Sequence, residues 1–266
     1  MDRNFRKGSL EVDFARQPFD SPLRLLADST RIFFTNLPLL AALTLAVFLP
    51  GELLLQFAGY LLNVPAEGIL SYFLMDLGDL FLGALVIPAV MYALLEQFRN
   101  GRTAPFAESL RWGRRQWGRM AWNKFKVEIT IALWTLLLFV PGLVAMVKLA
   151  LVDPVVAIEG DGESQPLERS TRLTEGRRWK VFFVLLPLTI VDLVGSFFVL
   201  SALRGMSHSR VALAAADSAL AVVSQWTTVA ALLLYLGMAP VAATAEAPGK
   251  RSGGSEPTRP RRRTKQ

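Results

Sequence analysis

The residues whose type and position could do chemistry are ionisable groups set inside apolar sequence. Asp76 and Asp79, at i and i+3 of one helical face, interrupt the apolar run Ile69 to Leu95. Asp192 lies well inside Val181 to Leu203, and Lys148 is the internal cation of Val127 to Ile158. Charges within apolar blocks are costly, so each is a functional candidate. A hydrophilic pocket joining Asp76, Asp79, Asp192 and Lys148 would bind a cation or pass protons. The plainer reading is preferred: Asp192 and Lys148 form an internal pair that fixes helix packing, while Asp76 and Asp79 are hydrated near an outer interface. Membrane helices also use polar groups merely as glue between helices.

A second constellation is basic and aromatic. In the segment Phe106 to Met120, Phe106, Leu110, Gly113, Trp117 and Met120 follow one helical face, and Arg111, Arg114, Arg115 and Arg119 crowd the remainder. Arginine with tryptophan at this spacing suits an interfacial helix that holds anionic lipid headgroups, and the same segment suits a connecting helix packed on the span ends, the two not being exclusive. Other chemistries lack their parts. There is no cysteine and a single histidine, His208, so disulfides, thiolate metal sites and Cys/His nucleophiles are excluded. Glu159, Asp161 and Glu163 would collect a hard cation only weakly, and acidic loops ordinarily just solvate, so no metal and no cofactor is assigned. A lipid-acting enzyme could use Asp76 and Asp79 in acid/base work, but nothing marks a nucleophile, and the chain is read as a non-enzyme.

The elements that must position these residues follow from composition. Of 266 residues, 52% are hydrophobic and 19% charged, with a mean hydropathy of +0.37. Apolar blocks at Leu37–Leu49, Ile69–Leu95, Val127–Ile158, Val181–Leu203 and Val211–Ala245 approach or exceed the ~20 residues that cross a bilayer. A soluble enzyme is thereby excluded, and the fold class is an all-α polytopic membrane bundle with interfacial amphipathic helices. The Lys and Arg residues number 6 in residues 1–31, 8 in 96–126, 5 in 159–180 and 7 in 246–266, with Lys148, Arg204 and Arg210 elsewhere. If Val127–Ile158 is one span, two of these basic segments fall outside. If it is a hairpin turning at Pro141-Gly142, all four lie inside, in keeping with the positive-inside rule. Six spans with both termini cytoplasmic is therefore preferred to five, although the arms, about Ala121–Val140 and Gly142–Ile158, are short and need snorkelling by Lys124 and Lys126 or local thinning.

The net charge of +7 then reads as an orientation signal, and no nucleic-acid partner is expected. Residues 1–31 form a cytoplasmic N-terminal segment with no cleavable signal, in which Ser21-Pro22 caps an amphipathic helix. Residues 32–245 form the membrane domain, with cytoplasmic loops 96–126 and 159–180. The tail, 246–266, is read as disordered. Its run Pro260-Arg261-Arg262-Arg263-Thr264-Lys265 is read as a topological anchor in preference to an RNA- or lipid-binding element.

Short matches point to a repeated unit. Ser29-Thr30-Arg31 recurs as Ser170-Thr171-Arg172, with Ser109-Leu110-Arg111 in the corresponding middle position. Phe33-Phe34-x-x-Leu37-Pro38-Leu39 recurs as Phe182-Phe183-x-x-Leu186-Pro187-Leu188, and Thr44-Leu45-x-x-Phe48-Leu49-Pro50-Gly51 resembles Thr135-Leu136-x-x-Phe139-Val140-Pro141-Gly142. The reading is three copies of an inside amphipathic helix followed by a membrane hairpin. Gly78, Gly83, Ala84 and Ala89 give the second span a small-residue surface suited to close packing.

The stretch Leu133-Trp134-Thr135 through Pro141-Gly142 leads to Asp153-Pro154-Val155-Val156-Ala157-Ile158-Glu159 and then Leu167-Glu168-Arg169-Ser170-x-x-Leu173-Thr174-x-Gly176-x-x-Trp179. It resembles the core of a group of bacterial integral membrane families related to the membrane domain of glycerophosphoryl diester phosphodiesterases. The similarity covers about Leu133 to Phe183, and Leu167-Glu168 departs from the Ala-Leu of that pattern. The resemblance implies a membrane bundle in a bacterial inner membrane. It implies no reaction, because the hydrolase of some relatives is a separate soluble domain with no counterpart here. The expected role is a membrane scaffold that organises anionic lipid or a protein partner, with a homo-oligomer left open. Small-solute or ion transport through the intramembrane polar residues is the alternative.

Overall fold

A computed structural model describes residues 21–63, 68–160, 165–206 and 209–239. Expectations about residues 1–20, Asp161, Glu163, His208 and the tail 246–266 with its Pro260–Lys265 run fall outside these residues. The regular structure described is helical throughout: α1 (Pro22–Leu61), α2 (Ile69–Asn100), α3 (Phe106–Leu137), α4 (Phe139–Leu149), α5 (Val152–Glu159), α6 (Pro166–Thr174), α7 (Arg178–Met206) and α8 (Arg210–Met238). Five stretches are long and apolar enough to cross a membrane: Pro22–Leu61, Phe73–Asn100, Phe139–Glu159, Arg178–Leu203 and Arg210–Met238.

Local chemistry sets the helix ends. Ser21 caps α1 with its hydroxyl accepting from the Arg24 amide at 3.3 Å, and Pro22 occupies the first turn, where its missing N–H costs nothing. Pro38 and Pro50 then lie inside α1 without ending it, as membrane helices tolerate. Gly101 closes α2 in the left-handed conformation at φ 61°, where a residue without Cβ is favoured.

The helices alternate in direction. Phe33 stacks on Trp226 with ring centroids 6.0 Å apart, while near the other end of the pair Arg210 donates to the Gln56 carbonyl at 3.2 Å, so α1 and α8 run antiparallel. Tyr92 donates to Glu108 and Trp117 donates to the Phe81 carbonyl, which sets α3 antiparallel to α2. Asp192 faces Ser224 and Arg177 reaches the Gly237 carbonyl, which orients α7 against α8. The start of α1, the connection from α2 to α3, helix α6, the start of α7 and the end of α8 consequently share one end of the bundle. The described parts of the basic segments 1–31, 96–126 and 159–180 enter from that end.

The Val127–Ile158 block does reverse direction, but three residues before Pro141. Leu138, at φ −160° and ψ 136°, breaks the helix, and Pro141 sits in the first turn of α4, where proline is tolerated because that N–H has no helical acceptor. Gly142 permits the tight return, since a Cβ there would run into Thr135 of α3. The expected short arm from Ala121 is instead the continuous helix α3, and the returning arm is two helices broken at Ala150–Leu151. The buried core gathers Leu40 and Leu43 of α1, Met91 and Leu94 of α2, Val155 of α5 and Leu232 to Tyr235 of α8.

Candidate functional site

The basic face of α3 carries Arg111, Arg114, Arg115 and Arg119. Its inner stripe is Ser109, Gly113, Met120 and Asn123, all buried. This stripe is displaced from the expected one, because Phe106 and Trp117 are exposed while Ser109 is not. Gly113 lies so close to α2 that a Cβ would meet the Leu85 carbonyl and Ala89. Arg111, Arg114 and Arg115 project from the exposed side, and Arg119 is half-buried. The segment is packed lengthwise on α2 from Tyr92 to Phe81, as the reading of a helix packed on the spans expects.

Along its outer side, apart from the exposed Glu128, the character of α3 changes in one direction. Arg111, Arg114 and Arg115 come first, then Trp117, Trp122 (61% exposed) and Phe125, then Ile129, Leu133, Leu136 and Leu137. Trp122 stacks on Phe125 at 6.0 Å, and Lys126 sits 5.9 Å from the Trp122 ring. Charged, aromatic and aliphatic zones in that order match the passage from headgroups through the interface into hydrocarbon. From Trp122 to Leu137 the helix rises roughly 22 Å, short of a ~30 Å hydrocarbon core. A second aromatic group lies at the same end, where Trp179 (74% exposed) stacks on Phe183 at 5.9 Å, beside Arg177 and Arg178 at the head of α7.

The intramembrane candidates divide between places. Asp76 and Asp79 are exposed on α2, and Asp79 lies beside Glu52 of α1. Glu52 is 2% exposed and also lies near Asp217 of α8. Asp192 is held by Ser224 at 2.9 Å. Lys148 ends α4, and its partner is not Asp192: the lysine whose ammonium meets a carboxylate here is Lys124, 3.3 Å from Asp153. Glu52 and Asp217 were absent from the sequence-based candidates. The signal was an ionisable residue directly after Pro50-Gly51 in an apolar helix.

Ser170 has a role its sequence match did not disclose. It is fully buried, donates to the Lys148 carbonyl at 2.7 Å and accepts from the Leu151 amide at 3.1 Å, joining the two sides of the α4–α5 break. Ser29 and Ser109, the corresponding residues of the other proposed repeats, are equally buried, and Thr30 and Thr171 each bond the carbonyl four residues back. Arg169 pairs with Glu159 at 3.1 Å, and Tyr235 donates to the same carboxylate at 2.8 Å, tying α6 to α5 and α8. Among the described residues no group of three or more His, Cys, Asp or Glu is placed to hold a metal ion.

No curated protein and no solved structure matches the chain. A family model, described as a domain of unknown function (DUF7847), matches residues 63–247, the portion that contains α2 to α8 and leaves α1 outside. The five apolar helices of crossing length make this a multi-pass helical membrane protein by length and composition, and the chain belongs to the DUF7847 family.

Proposed function

We propose that this protein is a non-enzymatic inner-membrane scaffold, with both termini cytoplasmic, that gathers anionic lipid around the arginine face of α3. One observation carries the reading. Arg111, Arg114 and Arg115 are exposed on a helix whose opposite side rests on Leu85 and Ala89, in the apolar part of α2. Guanidinium groups held beside a membrane span need a counter-charge, water or a locally thinned bilayer. Lipid phosphates supply the first through bidentate, charge-assisted hydrogen bonds. The aromatic zone at Trp117, Trp122 and Phe125 and the short apolar rise beyond it favour the same arrangement. Kinship with the glycerophosphoryl diester phosphodiesterase membrane domains forms part of this proposal and adds no reaction to it.

The test uses the full chain reconstituted in bilayers of mixed phosphatidylglycerol and phosphatidylcholine, with the lipid retained on extraction quantified by mass spectrometry. Phosphatidylglycerol should be enriched around the wild-type protein. Changing Arg111, Arg114 and Arg115 together to Gln should reduce that enrichment by about tenfold or more, given ~1 kcal/mol for each basic residue near an anionic surface. Equal enrichment in the two proteins would overturn the proposal.

A further inference from the structure

Between α2, α3, α4, α5, α7 and α8 there is a cavity of about 270 Å³ that opens to the outside of the bundle. Its walls are mostly apolar, with Leu143 of α4 and Leu186 of α7 among them, and its polar lining is Lys124, Glu128, Asp153, Thr189, Thr227 and Thr228. There the Lys124–Asp153 ion pair, at 3.3 Å, is joined by Glu128, one turn along α3 from Lys124, and by the threonine Thr228 of α8. Glu128 is exposed and has no hydrogen-bond or ion-pair partner among the described residues. The cavity wall also includes Leu149 and Ala150, where the α4–α5 helix is interrupted. An interrupted helix is tolerated within a membrane where it is buried in protein or lines a cavity, and such breaks favour ligand sites.

The charges name the ligand class. One ammonium and two carboxylates line the space, a net charge of −1: the unpartnered Glu128 calls for a cation, which Asp153 can share, and Lys124, with N–H donors beyond the one on Asp153, can also hold an anionic group. Apolar walls require an aliphatic portion beside them. We infer that the cavity binds the headgroup of a zwitterionic phospholipid bearing a phosphate and a primary ammonium, of the ethanolamine type. The phosphate sits on Lys124, and the ammonium lies between Asp153 and Glu128. At about 270 Å³ the space falls just under the ~300 Å³ at which pockets for whole small molecules begin. It holds the headgroup and the first methylenes, and the rest of the chains extends through the opening into the bilayer. Asp153 lies roughly 9 Å along α5 from Glu159, near the end of the bundle where the basic segments gather. This site is separate from the arginine face of α3 and is tested separately.

The experiment measures binding of dihexanoyl phosphatidylethanolamine to the full chain in detergent by native mass spectrometry, against the choline and glycerol lipids with the same tails. The ethanolamine lipid should bind at least about fivefold tighter than either, because a trimethylammonium has no N–H to donate and a glycerol headgroup brings no cation. Glu128→Gln, which disturbs no existing pair, should remove most of that preference, a loss of about fivefold or more in relative affinity from the missing charge-assisted hydrogen bond. Leu186→Trp, which fills the cavity, should abolish binding. The triple Arg111, Arg114 and Arg115 variant should bind the ethanolamine lipid like the wild type. Equal affinity for the three headgroups, a preference that survives Glu128→Gln, or binding that survives Leu186→Trp would each overturn the inference. The wild-type headgroup comparison stands even if a variant misfolds.

Discussion

Ser170 shows how much one hydroxyl can hold. The α4–α5 break frees the Lys148 carbonyl and the Leu151 amide, and Ser170, fully buried on α6, satisfies both. Leaving buried backbone groups unpaired costs ~1–3 kcal/mol. Ser170→Ala is therefore expected to lower stability by about that amount in a thermal unfolding measurement on the detergent-solubilised protein. The neighbouring Thr171 bonds only the Leu167 carbonyl of its own helix, so Thr171→Ala should cost under ~0.5 kcal/mol. Equal losses for the two would show that the break does not depend on Ser170. The sequence marked Ser170 as a repeated residue but not as a latch: Pro154, four residues after Ala150, announces the break by removing the helical bond to the Ala150 carbonyl, but nothing local shows that Ser170 closes it. Glu52 was missed for a related reason. Its burial depends on α2 and α8 lying against α1, a pairing that a single helix pattern does not contain.

At the scale of an element, α3 departs most from what its sequence suggests. Hydropathy separates a basic half from an apolar half, whereas the chain folds them as one helix of 32 residues. Met120, Ala121, Lys124 and Lys126 are good helix formers, and no glycine or proline interrupts Met120 to Lys126 to stop the helix. Gly113 decides which face turns inward, since a side chain there would meet the Leu85 carbonyl. Gly113→Leu is expected to push α2 and α3 apart and cost several kcal/mol, within the range for overpacking and disrupted contacts. Gly118, with open space around it, should accept alanine and gain up to ~1 kcal/mol of helix propensity. Unfolding temperatures of the two variants check this pair, and a tolerated Gly113→Leu would mean that α3 does not pack on α2 as described. The reversal after α3 was legible from the Pro-Gly pair and the distribution of basic residues, but its position was not. Pro141 fits the first turn of the returning helix as well as it fits a loop, and Leu138, which takes the extended conformation, carries no turn signature.

Over the whole molecule, the alternation of helices brings the described basic segments to one end, and this is the premise on which lipid recognition rests. Membrane class and helical content were legible from apolar block length alone, because no other regular structure satisfies the backbone over such runs except a closed barrel. That the described basic segments share one end was legible from their distribution, and the assignment of that end to the cytoplasm belongs to the proposal. The cavity and the acidic contact at Glu52 were not legible, since both are made by residues far apart in the chain. The absence of cysteine from the sequence makes the decisive measurement direct. Single cysteines placed at Asn63, Gly101, Gln165 and Ser209 are exposed in turn to a membrane-impermeant maleimide applied to the outside of intact cells. Labelling of Asn63→Cys and Ser209→Cys with protection of Gly101→Cys and Gln165→Cys is the expected result. Labelling of Gln165→Cys from outside while Gly101→Cys stays protected would contradict the account, by placing α6 and the arginines around it on the opposite side of the membrane from the start of α3.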